Sequence, residues 1–352
     1  MKKKNLIISV FSFFFIVLVG CESWTEVTPK VLPETLFSSL TPEEEADLIA
    51  YKNSDHKLFF GWINYSPATP SMQTRLIGIP DSMDIVSFFT GYVDNEQNRR
   101  DVKFLQERRG TKVLVTMWPE PYFSRGKPGA NDLDSMKIYA KNLAESIFEW
   151  ELDGFDLDYE PSFGGDSYSM EMMRTFIDVM SEYMGPKCKE EYKVNGKHKL
   201  LVVDGQWQDP EYADRFDYFI GQAYQSSSHS SLHSRLDGAG SRDYGKGFPN
   251  NKRIFCEWTS EVGNYFGGGG DRYNYFNEEL GQNEIIPSLW GMAHYANEFN
   301  TAGCGVYVLQ FAYAEDNHLS KPVPPNNYFY ARQAIQIMNP ATIKKVPAPT
   351  EE

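Results

Sequence analysis

Asp156, Asp158 and Glu160 stand at i, i+2 and i+4 in the segment Glu151-Leu-Asp-Gly-Phe-Asp-Leu-Asp-Tyr-Glu-Pro161, alternating with Phe155, Leu157 and Tyr159. Alternate side chains of an extended strand share a face, so the three acids point one way and the apolar set the other, with neighbouring carboxylates roughly 7 Å apart. In a poorly hydrated site such a row cannot ionise completely at low cost, and at least one pKa is expected to rise. A proton held at neutral pH beside ionised carboxylates is what a general acid needs. The interleaved Phe, Leu and Tyr argue against a solvated charged strand. A calcium loop of EF-hand type needs Gly where Pro161 stands. A structural acidic cluster is the competing reading. Asp153 falls on the other parity and is expected to fix the strand entrance by hydrogen bonding.

Positioning such a row requires a buried parallel sheet. Short apolar, β-branched or aromatic runs bounded by turn residues occur at 58–65, 83–89, 112–118, 154–160, 199–207, 216–224, 253–258 and 305–311. Several gaps carry helical periodicity: Met136, Tyr139, Leu143 and Ile147 form one stripe within 135–148, and 170–183 and 284–299 behave similarly. Alternating strands and helices with eight repeats predict an α/β fold, a closed (β/α)8 TIM barrel. The barrel is expected to be somewhat irregular, because the connection after the fifth strand, between Trp207 and Phe216, has no room for a full helix. A doubly wound open sheet often carries a Gly-rich phosphate turn after its first strand. Here Trp62-Ile-Asn-Tyr follows instead. In a barrel the acids of the fourth strand project inward and toward the C-terminal mouth, where sites are built. The site loops are expected at 119–134, 161–169, 225–250 and 261–275, with the run Gly267–Gly270 a mobile loop.

The chain of 352 residues carries 34 Lys+Arg against 48 Asp+Glu, a formal charge of −14, which argues against a nucleic-acid partner. Its start is basic through Asn5 and then apolar from Leu6 to Gly20, the pattern of a secretory signal too short for a comfortable membrane span. Leu18-Val19-Gly20-Cys21 resembles a bacterial lipobox, which implies lipidation at Cys21. The expected organisation is a signal at 1–20, a Pro-containing lipid-anchored tether at 21–50, a catalytic barrel at 51–340 and a flexible tail at 341–352. Cys188, Cys256 and Cys304 then remain, an odd number that precludes a complete disulfide framework. No Cys/His cluster has zinc-ligand spacing, and neither metal nor cofactor is expected.

Asp153-Gly-Phe-Asp156-Leu-Asp158-Tyr-Glu160 resembles the Asp-x-x-Asp-x-Asp-x-Glu signature of glycoside hydrolase family 18, and Gln222-Ala-Tyr224 on the sixth strand resembles that family's Met/Gln-x-Tyr pair. The resemblance implies a retaining glycosidase that uses the substrate's own 2-acetamido group, an exception to the two-carboxylate scheme. Glu160 would be the acid and then the base, Asp158 would orient the acetamido nitrogen, Tyr224 would bind its carbonyl, and Asp156 would tune Asp158. Gln222, Trp118, Trp207 and Gln310 are the expected substrate contacts. Trp118 and Trp207 come from their place at strand ends, and Gln310 from an eighth strand lacking the Trp that floors many chitinases. The short connections after the fifth and seventh strands are similar to the endo-β-N-acetylglucosaminidase branch, which implies cleavage between the two core GlcNAc residues of an N-glycan. A chitinase or chito-oligosaccharide hydrolase, or a non-hydrolytic glycan-binding surface protein on the same fold, are the alternatives. The lipidated, acidic chain also resembles the outer-membrane lipoproteins of Bacteroidota. That implies a cell-surface location in a Gram-negative bacterium, with other glycan-uptake proteins as partners.

Overall fold

The computed structural model describes residues 40–64, 72–89, 91–118, 132–161, 169–236, 244–260, 266–313 and 328–340. The chain divides into Met1–Thr41, of which only Leu40 and Thr41 are described, and a compact unit, Pro42–Glu352, that holds everything below. The expected signal, Cys21 and the tail 341–352 therefore lie outside the described residues. The end of the expected tether is a helix, α1 (Pro42–Lys52). Its Glu45 is held by the guanidinium groups of Arg108 and Arg109, and these contacts make it part of the compact unit.

Eight parallel strands close into a barrel: β1 (Leu58–Ile63), β2 (Ile85–Phe89), β3 (Lys112–Met117), β4 (Gly154–Tyr159), β5 (Leu200–Gly205), β6 (Tyr218–Gln222), β7 (Arg253–Trp258) and β10 (Gly303–Tyr307). The helices α2 (Glu96–Arg109), α3 (Leu133–Glu149), α4 (Met170–Tyr183), α5 (His229–His233), α6 (Ser288–Glu298) and α7 (Phe329–Met338) lie between or after them. The expected (β/α)8 barrel is found, irregular after β5, where Pro210–Arg215 makes only a 3-10 segment. The hydrophobic stripe of α3 buries Met136, Ala140, Leu143, Ala144 and Ile147, and the Asp132 side chain caps the helix by accepting the Ser135 N–H.

Period-two alternation sorts the core into two compartments. Phe60, Trp62, Ile85, Leu114, Val202, Ile220, Ile254 and Cys256 fill the barrel interior. Phe59, Ile63, Val86, Phe88, Val113, Val115, Phe155, Leu157 and Val203 face outward to the helices. The interior is crowded beside β1, and β10 answers with small residues on its inward parity. A Cβ on Gly305 would lie 2.3 Å from the Phe60 carbonyl oxygen and 2.8 Å from Cys256 Sγ.

Three expectations about the last third of the chain are corrected. The eighth barrel strand ends at Tyr307, because Val308 takes a left-handed φ of 53° and opens a 3-10 turn at Leu309–Ala312. The residues expected to start a helix at 284 instead complete an antiparallel hairpin, β8 (Asp271–Asn277) with β9 (Gln282–Pro287), so α6 begins at Ser288. The hairpin alternates Tyr273 and Tyr275 with polar residues, a strand pattern, and Pro287 separates it from the helix. Finally, the glycine run is a buried turn packed against Glu257, Leu289 and Tyr330 rather than a mobile surface loop.

Gly305→Ala is expected to destabilise the fold by about 1–3 kcal/mol, the usual cost of overpacking. Urea unfolding measures this; an unchanged midpoint would show that β1 and β10 separate freely.

Candidate active site

The C-terminal mouth of the barrel opens into a cleft of about 560 Å³. Asp158 and Glu160 enter it from β4 and its end, Gln222 and Tyr224 from β6 and its end, and Trp118 from the end of β3. These five expected residues are brought together. The inward parity of the acids on β4 is as the alternation requires: Phe155 and Leu157 pack in the outer shell while Asp156 and Asp158 are buried inside.

Depth along β4 grades the three acids. Asp156 lies below the cleft, wholly buried, where its Oδ2 accepts hydrogen bonds from Trp62 Nε1 at 2.7 Å and Thr116 Oγ1 at 2.9 Å. Thr116 is in turn paired with Ser87 at 2.6 Å. Asp158 is buried one layer above, within hydrogen-bond reach of the Trp118 indole N–H. Glu160 is half-buried at the rim. Gly205, with φ +80°, makes room for it, since a Cβ there would meet Glu160 Cγ at 3.0 Å and the Tyr159 carbonyl oxygen at 2.7 Å. Asp153, at the opposite end of the strand, accepts the Val113 N–H at 2.9 Å and the Gln106 amide at 2.8 Å, and so pins the entrance of β4 to β3.

A fourth carboxyl joins the row. Asp204 stands opposite Asp158 in the β4–β5 register, fully buried, and accepts Gln222 Nε2 at 2.9 Å. It lies within hydrogen-bond reach of both Asp156 and Asp158. Asp156 Oδ1, Asp158 Oδ1 and Asp204 Oδ2 receive no hydrogen from any other group. Carboxylates only accept, so these contacts are satisfied when the cluster holds protons of its own. Burial raises the pKa of all three aspartates, and mutual repulsion pushes Asp158 and Asp204 further, while Trp62 and Thr116 favour the charged form of Asp156. Burial also raises Glu160, opposed by its hydrogen bond from Gln222. Gln222 thus spans Glu160 and Asp204.

The walls are aromatic. Tyr307, at the inward end of β10, stacks with Tyr224 at 6.1 Å between ring centroids and meets Phe89, Trp258 and Trp62 edge-on at 5.0, 5.7 and 6.0 Å. Arg235 and Tyr244 complete one side. Two expected contacts are corrected. Trp207 is buried in the outer shell against Tyr159 and Phe216, with its indole N–H on the Asp209 carbonyl at 3.0 Å. The left-handed Gly205 turns the chain out of the barrel two residues before it. Gln310 lies in the turn after β10, 6% exposed, where its Oε1 accepts the Asn64 N–H at 3.2 Å and fixes the end of β1. The sequence reading missed Asp204 and Tyr307. Both sit on the inward parity of their strands, which is the signal that finds them.

Folding tightens proton binding by a carboxyl whose pKa it raises. Above the ordinary carboxyl range the folded chain then holds more protons than the unfolded one, and stability falls as pH rises through the raised values. Glu257, pushed up to about 7 by burial, carries that window to neutrality. Unfolding free energy is therefore expected to decline between about pH 5 and pH 8, and Asp204→Asn, which keeps an acceptor for Gln222, to shrink the decline by at least about 1 kcal/mol. Urea unfolding at a series of pH values decides it; an identical slope in the variant would mean Asp204 is charged in the fold.

Comparison with known proteins identifies the family and the fold. Residues 58–239 match the model of the endo-beta-N-acetylglucosaminidase EndoS TIM-barrel domain. Endo-beta-N-acetylglucosaminidase F2 of Elizabethkingia meningoseptica is 30% identical over 241 residues, spanning 63% of this chain and 67% of the relative. A solved selenomethionine-labelled Glu-to-Gln variant called BT1044 superposes with a TM-score of 0.66 at 24% identity, covering 86% of this chain and 94% of that one. The apo endo-beta-N-acetylglucosaminidase of Cordyceps militaris gives a TM-score of 0.57 at 16% identity, covering 86% and 98%. These two structures share the fold.

Proposed function

The chain belongs to the family of EndoS-type endo-β-N-acetylglucosaminidase TIM-barrel domains and is a glycoside hydrolase; from that premise we propose that it cuts the β-1,4 bond between the two core GlcNAc residues of N-glycans by substrate-assisted, retaining catalysis. The observation that carries the mechanism is the make-up of the cleft: among its described lining residues the carboxylates are Asp158 and Glu160, two apart on one chain segment. A retaining glycosidase with a carboxylate nucleophile needs acid and nucleophile on opposite sides of the sugar ring. Neighbours on one strand end face the ring from the same side, which supports a nucleophile supplied by the substrate.

Glu160 donates its proton to the glycosidic oxygen as the bond to C1 breaks. The oxygen of the 2-acetamido group attacks C1 from the other face and closes an oxazolinium ring. Asp158 accepts a hydrogen bond from the acetamido N–H, held for that task by the Trp118 indole, and stabilises the positive charge that develops. Tyr224 donates its hydroxyl hydrogen to the acetamido oxygen and aligns it. Glu160, now a carboxylate, takes a proton from a water molecule that adds to C1, and the ring reopens with retention. Gln222, hydrogen-bonded to Asp204 at 2.9 Å and within reach of Glu160, sets the acid's orientation through both steps. Asp156 acts from below by sharing the cluster's protons.

An N-glycan core is favoured over chitin by the name of the sequence relative, by the short connection after β5 and by a simple hairpin, β8–β9, after β7. The signal-like start and the lipobox resemblance at Cys21 add the proposal of a lipid-anchored protein on the outer membrane of a Gram-negative bacterium.

Incubating the protein with a glycoprotein bearing mixed N-glycans is expected to free glycans ending in one GlcNAc and to leave one GlcNAc on Asn, as read by mass spectrometry. Glu160→Gln is expected to lose about 10³-fold or more in rate, and Tyr224→Phe about 10²-fold. No release by the unmodified protein would overturn the N-glycan reading, with chito-oligosaccharides the next substrate. For the anchor, labelled palmitate is expected in the full chain and absent from Cys21→Ala; label in neither would remove the lipoprotein.

A further inference from the structure

Glu257 occupies the parity of β7 that faces away from the barrel interior and is fully buried. A buried carboxylate is retained only where fixed donors hold it. Both oxygens lie 2.9 Å from the Gln225 backbone nitrogen and accept its N–H, and Oε1 also accepts the Trp258 N–H at 2.8 Å. The Arg272 guanidinium adds an attractive charge. Ser288, beside the carboxyl at the start of α6, gives its one hydroxyl hydrogen to the Ser226 carbonyl at 2.8 Å. The glycine turn closes over the carboxyl: at Gly269, with φ +87°, a Cβ would lie 2.5 Å from Glu257 Cδ. One side chain thus joins the ends of β6 and β7, the glycine turn and the start of α6.

What it holds is one wall of the cleft. Gln225 has φ +59°, a left-handed conformation that costs energy outside glycine and persists only where its surroundings impose it. It directly follows Tyr224, so anchoring its amide fixes the course of the chain that carries that ring. Trp258 is anchored through its own amide. The Tyr224 and Trp258 rings meet edge-on at 5.8 Å, and both line the cleft. We propose that Glu257 is the positioning residue for this Tyr224–Trp258 wall, and that Gly269 is needed to admit its carboxylate. Glu257 touches no substrate. Its effect on the reaction passes through Tyr224, and this part rests on the reading of Tyr224 given above.

The test is a double-mutant cycle on kcat and KM for glycan release, with Glu257→Ala, Tyr224→Phe and the pair. Glu257→Ala is expected to lower kcat by about tenfold or more while KM moves less than about threefold, and Glu257→Gln, which keeps one acceptor oxygen, to recover most of that loss. In the Glu257→Ala background, Tyr224→Phe is expected to cost about tenfold or less, against about 10²-fold alone, so that the pair loses no more than Tyr224→Phe does. Losses that multiply would overturn the proposal. Amide hydrogen exchange at Gln225 and Trp258 gives a readout without substrate: both amides are expected to lose protection in Glu257→Ala, and unchanged protection would also overturn it. Absence of glycan release by the unmodified protein would sink the functional reading instead, leaving the exchange result to decide the wall. Where Glu257→Ala does not fold, Gly269→Ala presses on the carboxylate from the opposite side and carries the same cycle.

Discussion

Taking carboxyl groups out of water is the constraint around which this barrel is organised. Asp156, Asp158 and Asp204 share a space that fewer donors than acceptors can reach, and an unpaired buried polar atom costs about 1–3 kcal/mol. The scaffold meets part of that cost with fixed donors: the Trp62 indole and Thr116 hydroxyl for Asp156 and the Gln222 amide for Asp204. The remainder is met by protons, which raised pKa values retain on the cluster. A chain keeps such an arrangement against its own stability where function needs it. Here the proton store lies directly beneath Glu160, the proposed acid.

The three acids of β4 differ in depth, and depth sets what each can do. Asp156 is sealed and multiply bonded, so it is a partner for its neighbours and never meets solvent. Asp158 is buried but adjoins the cleft, which suits a group that meets one polar atom of a ligand. Glu160 is half-buried at the rim, where it can exchange a proton with water between turnovers. A strand produces this gradient without further design, because i, i+2 and i+4 climb the barrel wall in equal steps.

Much of this was legible in the sequence because period two and period 3.6 are local signals. The alternation of Phe155, Leu157 and Tyr159 with Asp156, Asp158 and Glu160 gave parity, and parity gave direction once the barrel was inferred. The failures have a common origin in chain reversals that follow strands. Trp207 and Gln310 were read as continuing strands that Gly205 and Val308 end with positive φ. For Trp207, position along the chain then mispredicted position in space by the full width of the barrel wall. Asp204 was missed for a different reason: its significance lies in facing Asp158 across the β4–β5 register, and register is not a local property.

Glu257 extends the same reasoning to the other face of the sheet. Its strand alternates Ile254 and Cys256 inward with Phe255 and Glu257 outward, so the pattern assigns the acid to an apolar shell, where it would be destabilising alone. The backbone amides of Gln225 and Trp258 offset part of that cost by donating to its carboxyl at those two strand ends, and burial still raises its pKa to about 7. A carboxylate at the end of one of two neighbouring parallel strands can collect amides from both. The inner acids concentrate protons where chemistry is expected, and the outer acid fixes the frame beside them. Both follow from one rule, that a buried charge in a barrel must be met either by donors or by a proton.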